Sequence, residues 1–207
     1  MNKKTIAIIV AVIAVLAVAG VAIAINMNNN ASDDANNQSN QTSNNETPSG
    51  VDPSKEFNPQ PLNELSYVAT TKTTVSGQTV ESTTESDGKG TTKSSSSFGG
   101  MTTESYVKGN TVVTCVDGEC STSTVDTTSE EATSLAQDAS QYKDSAKHSG
   151  TEACPAGTCQ VWKASGPAGD VTYYVDDENR ISKVVMSDTG AEMVYEYKDV
   201  SITIPTV

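Results

Sequence analysis

Thr111-Val-Val-Thr-Cys-Val-Asp-Gly-Glu-Cys-Ser-Thr-Ser-Thr-Val125 is the stretch whose reading decides the fold. Two runs rich in β-branched residues, 111–116 and 119–125, flank Asp117-Gly118. An Asp-Gly link between such runs is a strong hairpin signal, because a type I′ turn needs positive φ at both central positions. With Asp117 and Gly118 as the turn, Val116 and Glu119 exchange hydrogen bonds, and Cys115 faces Cys120 at the next, non-hydrogen-bonded pair. Cα atoms there lie about 4.5 Å apart, a distance that a disulfide spans. Antiparallel pairing and a covalent staple follow from the same few residues.

Working outward, the punctuation recurs. Candidate strands 65–75, 78–86, 91–98 and 101–108 are separated by Ser76-Gly77, Asp87-Gly88-Lys89-Gly90 and Gly99-Gly100, and Gly109-Asn110 precedes the hairpin. Strands at intervals of about 8 to 12 residues with turn residues between them indicate an antiparallel meander. A second block comprises 159–164, 171–176, 180–187, 191–198 and 200–204. There Met193, Tyr195 and Tyr197 alternate with Glu192, Val194 and Glu196, so one face looks inward and the other mostly outward. This block has the better apolar content and is expected to hold most of the core.

Between the blocks the period changes. Thr128-Ser129-Glu130-Glu131 reads as a capping box, and Ala132, Leu135, Ala136, Ala139 and Tyr142 recur at helical spacing. Lys143, Lys147 and His148 follow where cations suit a helix C-terminus, and Gly150 closes the run. One amphipathic helix of about 18 residues, laid on the sheet, is expected.

A second cysteine pair, Cys154-Pro-Ala-Gly-Thr-Cys159, repeats the spacing of the first. Two local disulfides, Cys115–Cys120 and Cys154–Cys159, are expected, each adding about 2 kcal/mol by closing a short loop. A four-cysteine zinc site is the competing reading, but structural zinc sites more often use two-residue spacings, and exported thiols oxidise. A redox pair would usually be Cys-x-x-Cys, which neither matches.

Oxidising surroundings follow from the N-terminus. Residues 1–4 form a short basic head, and 5–25 are apolar throughout except Thr5 and Gly20. Roughly 20 apolar residues span a bilayer, and lysines before the run place the head in the cytoplasm. A single transmembrane signal anchor is expected. Ala17-Val18-Ala19 and Ala22-Ile23-Ala24 offer signal-peptidase sites as the alternative, although the long apolar run favours retention. Residues 26–63, rich in Asn, Ser, Gln and Pro, cannot bury enough surface to offset their ordering entropy and are expected to be a disordered tether. Residues 64–207 then form one extracytoplasmic antiparallel β domain, giving a cell-membrane protein whose C-terminal domain lies on the extracytoplasmic side.

Charge and inventory narrow the function classes. All 26 acidic residues lie beyond residue 26, but only 11 of the 13 basic ones do, so the exported part carries a formal −15. Such a field repels nucleic acid and anionic headgroups. His148, the one histidine, is placed at a helix end on the surface, and no phosphate-cradling loop, nucleophile elbow or histidine-rich metal spacing occurs. Asp176, Asp177 and Glu178 read as an acidic turn without the ligand spacing of a calcium loop. No catalytic residue, metal or cofactor is assigned. The concentrated aromatic content, Trp162, Tyr173, Tyr195 and Tyr197 with Tyr174 beside them, is read as core or as the lining of an apolar groove.

Two stretches carry a family resemblance. Tyr173-Tyr-Val-Asp-Asp-Glu-Asn-Arg-Ile-Ser-Lys-Val-Val185 is a strand–turn–strand with an aspartate opening the turn, and Tyr195-Glu-Tyr-Lys-Asp-Val-Ser-Ile-Thr-Ile-Pro205 ends the chain. With the order of elements, these resemble the lipoprotein-carrier half-barrel superfamily, which includes lipoprotein-sorting carriers and actinobacterial glycolipid-carrier lipoproteins. The chain departs from the lipoprotein members in lacking a cysteine for lipidation, and its N-terminal strands are unusually rich in Ser and Thr. The resemblance implies a mainly β domain with one or two helices, its antiparallel meander curved into a half-barrel over a helix. Members hold acyl chains in the concave face of the half-barrel, and no functional residue transfers. With the anchor, the tether and the aromatic-bearing C-terminal sheet, the expectation is a membrane-anchored binding domain holding a lipid or other apolar ligand in a groove, with Trp162, Tyr173, Tyr195 and Tyr197 as candidate lining. The alternative is a non-catalytic structural or adhesive envelope protein.

Overall fold

The computed structural model describes residues 52, 54–75, 78–124, 139–166 and 169–207. The expected anchor and most of the tether lie outside them. Among the described residues, no helix is long and apolar enough to cross a membrane.

The architecture is one open sheet of eleven antiparallel strands. These are β1 (Ser66–Val75), β2 (Gln78–Asp87), β3 (Thr91–Phe98), β4 (Met101–Lys108), β5 (Thr111–Val116), β6 (Glu119–Thr124), β7 (Lys147–Cys154), β8 (Gly157–Gly166), β9 (Gly169–Val175), β10 (Ile181–Met186) and β11 (Ala191–Tyr197). Spatial order is β6-β5-β4-β3-β2-β1-β11-β10-β9-β8-β7. Each block is a run of hairpins, and the two meet where β1 pairs with β11, Tyr67 opposite Tyr197 and Ala69 opposite Tyr195. β6 and β7, consecutive among the described strands, are the two edges.

The hairpin that opened the sequence reading folds as expected. Asp117 (φ 50°) and Gly118 (φ 85°) supply the two positive angles, and the Cys115–Cys120 disulfide joins facing residues with Cα atoms 4.0 Å apart. Cys154 and Cys159 are bonded too, with Cα atoms 5.8 Å apart.

Three expectations are corrected. The helix is the first. Its start lies outside the described residues, but Ala139–Tyr142 is a 3₁₀ turn, and Lys147 and His148 open strand β7, opposite Lys163 and Trp162. Among the described residues no α-helix lies over the sheet. Ladder bonds to β8 and ring contact with Trp162 outweigh a weak helical preference at the C-terminal end of that run. His148 is the second. It is buried, not a surface group. Third, the expected last strand, 200–204, joins no ladder; it runs off β11 as an extended tail.

Side chains alternate between the two faces of a strand, so the pairing register assigns every strand residue to a face. Tyr67, Ala69, Tyr195, Val184, Tyr173, Trp162 and Ala164 share one face, hereafter the aromatic face, which carries the main core. The same face continues over β2–β5 as Thr84, Ser86, Ser94, Ser105 and Thr114. The reverse face bears Glu81, Glu85, Lys93, Glu104, Lys183, Glu192 and Glu196. Among the described strands, Glu119 is the single charged residue on the aromatic side.

Both faces are partly overlaid by chain that is not sheet. On the aromatic face, Phe57 and Leu62 from the segment before β1, and Ala139 and Tyr142 before β7, join the core. Residue 63 was the expected end of the tether, yet the chain is already packed at Phe57, which is 2% exposed. On the reverse face, the tail passes β1, where the Val200 N–H donates to Ser66 Oγ at 2.9 Å. It then lays Ile202 and Ile204 against Tyr106, Val113, Cys115 and Cys120.

Candidate functional site

The candidate site is the aromatic face of β1 and β8–β11. Register brings its rings together: Trp162 is opposite Tyr173, Tyr173 opposite Val184, Val184 opposite Met193, and Tyr195 opposite Ala69. Over this floor Phe57 sits with its ring centroid 5.0 Å from Tyr173 and 5.5 Å from Trp162, while Tyr142 is 5.8 Å from Tyr173. Tyr67 meets Tyr195 edge-on at 5.4 Å. Contacts of this kind stabilise by about 0.5–1.5 kcal/mol beyond burial.

The four rings singled out from sequence therefore share one surface, but not as an open groove. Tyr173 is 0% exposed, Trp162 4% and Tyr195 5%. Tyr197, half-buried, stands at the margin, where its hydroxyl donates to the Ile181 carbonyl at 2.7 Å and Arg180 stacks over its ring at 4.7 Å. Burial pushes the Tyr67 hydroxyl up to about 12, and Tyr195 and Tyr197 are raised by the same cause. These phenols act as apolar rings with a protonated tip across the physiological range.

A polar cluster closes one side. Asp52 N–H donates to His148 Nδ1 at 2.8 Å, so the imidazole proton sits on Nε2, which donates to Gln160 Oε1 at 2.7 Å. Lys55 Nζ donates to the same Gln160 oxygen at 2.7 Å. Ser54 holds the Asp52 carboxyl below its ordinary range by donating its hydroxyl and N–H. Both nitrogens of His148 are engaged, and its ring stands 5.1 Å from Trp162. The histidine is a brace for the segment before β1, with no free nitrogen for acid–base work. Beside it, Lys55, Glu56, Phe57, Asn58, Gln160, Trp162, Val175 and Asn179 line a recess of about 250 Å³.

On the far side, Asp176 opens the β9–β10 turn in the manner the family resemblance implies. Its carboxylate accepts the N–H groups of Glu178 and Arg180 (3.0 and 2.8 Å) and the Arg180 side chain at 2.9 Å. All its acceptor capacity goes into the turn, which explains the acidic run without a cation. Among the described residues, no three His, Cys, Asp or Glu side chains are placed to share a metal ion.

Sequence reasoning missed Phe57, Leu62, Tyr67 and Tyr142 as members of this site. For the first two a signal existed: they are the bulky apolar residues of a segment otherwise polar, set around Pro59 and Pro61. Pro59 and Pro61 remove backbone donors that the sheet would need, so Phe57 and Leu62 bury their side chains without joining it.

No protein-family model and no curated protein sequence matches the chain. Among solved structures it is similar to LprF from Mycobacterium bovis, at 12% identity and a TM-score of 0.45, over 70% of this chain and 90% of LprF. It is also similar to a LolA superfamily protein from Nitrosomonas europaea, at 10% identity and a TM-score of 0.30, over 71% of this chain and 90% of that one. These similarities assign no residue of this chain a role.

Proposed function

We propose that the chain is a membrane-tethered extracytoplasmic binding module that takes an elongated neutral, apolar ligand such as a lipid acyl chain on the aromatic face of its open sheet. The observation that carries this reading is the segregation of charge. Apart from Glu119, the described strands send their carboxylates and ammonium groups to the reverse side. Solubility in a chain of formal charge −13 does not require this sorting, since exposed charge on either face would serve. An apolar ligand does require it, because covering a charge costs several kcal/mol of desolvation. The hydroxyls of β2–β4 can pair among themselves, as Thr84 and Ser94 do at 3.2 Å, and so tolerate an apolar cover.

In the state described, Phe57 and Leu62 occupy the aromatic seat, and the ligand enters by displacing them. Titrating the purified full chain with the apolar fluorophore 1-N-phenylnaphthylamine tests this. Saturable binding that strengthens in Phe57→Ala and is lost in Ser94→Asp supports the reading. Absence of binding in both the parent and Phe57→Ala overturns it. That result favours the structural or adhesive envelope role, which has the nearly complete burial of Trp162, Tyr173 and Tyr195 on its side.

A further inference from the structure

An open sheet has two edges, and natural sheets guard them with bulges, charged side chains or prolines to prevent pairing with other chains. The two edges here are treated differently. β7 is interrupted by a register shift between His148 and Gly150, with Gly150 at φ 109°, and it carries Lys147 and Glu152. β6 has none of these. It pairs with β5 without a shift through all six residues, contains no proline or basic residue, and has its one charge at the first position. Five of its six residues are exposed. The Cys115–Cys120 disulfide holds it in the plane of the sheet.

Register also identifies which backbone groups look outward. The 4.0 Å Cα separation of Cys115 and Cys120 marks a non-hydrogen-bonded pair. Glu119, Ser121 and Ser123 therefore spend their N–H and C=O groups on β5, and Cys120, Thr122 and Thr124 point theirs away from it.

We propose that β6 is a docking edge for a second copy of this chain, the two β6 strands pairing antiparallel about a two-fold axis at Thr122. Outward-facing residues must meet outward-facing residues, so Thr122 lies opposite Thr122 and Cys120 opposite Thr124. That register sets Ser121 against Ser123, and no like charges confront each other between Cys120 and Thr124. A strongly acidic molecule thus meets itself along an edge that is uncharged from Cys120 to Thr124. With β6 the single unguarded edge among the described strands, the assembly closes at two copies and does not grow into a fibre.

Thr122→Pro tests this cleanly. The Thr122 N–H faces outward, so proline there removes no bond to β5 but deletes two symmetric bonds between copies. Sedimentation of the full chain in mild detergent across a range of concentrations is the measurement. Expected are a concentration-dependent dimer in the parent chain and one weakened about 30-fold in Thr122→Pro. Thr122→Lys, which only guards the edge, should act the same way and covers the case in which proline misfolds. A monomer at every concentration overturns the proposal, as does a dimer that survives both substitutions, which would place the contact elsewhere, in the N-terminal segment for instance.

Discussion

Tyr67 shows how a single side chain reports on the whole seat. Its ring lies under the seam between β1 and β11, and burial pushes its hydroxyl up to about 12 from an ordinary value of 10.0. In the unfolded chain this phenol ionises near 10, while in the folded one it keeps its proton. Above that point the unfolded state binds fewer protons, so stability is complete below pH 10 and falls as pH rises toward 12. The loss from Tyr67 alone is on the order of 2–3 kcal/mol, with Tyr195 and Tyr197 acting in the same direction. Absorbance at 295 nm should show a set of tyrosines ionising only together with the loss of near-ultraviolet circular dichroism. Gly88 is a second informative position. It sits at φ 66°, and a Cβ there would stand 3.1 Å from the backbone of Leu65 and Ser66. Gly88→Ala should cost about 1–3 kcal/mol, read as a lowered denaturation midpoint.

At the scale of elements, the segments outside the ladder make the sharpest predictions. Removing residues 200–207 would strip Ile202 and Ile204 from Tyr106, Val113 and Cys115 and delete the Val200–Ser66 bond. Amide exchange should then accelerate in β4–β6 while β8–β10 keep their protection, because the tail serves the small cluster and not the main core. At the other end of the described chain, Phe57→Ala should cost about 3–5 kcal/mol in thermal or urea unfolding, since two aromatic neighbours lose their partner.

These same elements mark where the sequence was readable. β3, β4 and β5 fall on the residues the turn pattern delimits, because a glycine pair or an Asx-Gly pair needs a particular backbone and leaves little freedom in register. The disulfide pairs were legible for a related reason: a five-residue separation gives each cysteine one near partner. β7 was not legible. His148-Ser-Gly-Thr has no clear period of 2, and what makes it a strand is β8 beside it, with Trp162 offering a ring to stack on. The tail was misread because Val200-Ser-Ile-Thr-Ile204 alternates as a strand does; a hydrophobic period reports which side is buried, not whether a neighbouring strand supplies bonds. The four candidate rings share one face, but what lies over them comes from Phe57 and Leu62, a hundred or more residues away in the chain from Trp162 and Tyr173, a distance no local pattern encodes.

Across the whole molecule, the division of labour between faces is the main result: charge on one, rings and hydroxyls on the other. Reducing both disulfides should lower stability by about 2 kcal/mol per bond and leave the strand order unchanged, since each closes a hairpin that pairs without it. Far-ultraviolet circular dichroism before and after reduction, with urea titration, checks both parts. The seam between β1 and β11 has a different bearing, on how the protein is made. Each block is a series of neighbours in sequence and can zip up as it emerges, yet the centre of the sheet joins Tyr67 to Tyr197, 130 residues apart. Strand β1 must wait, one side unsatisfied, until β11 has been made. Maturation therefore includes a slow docking step in the middle of the sheet, and a chain halted before β11 would be left with a sticky interior strand for proteases and chaperones to find.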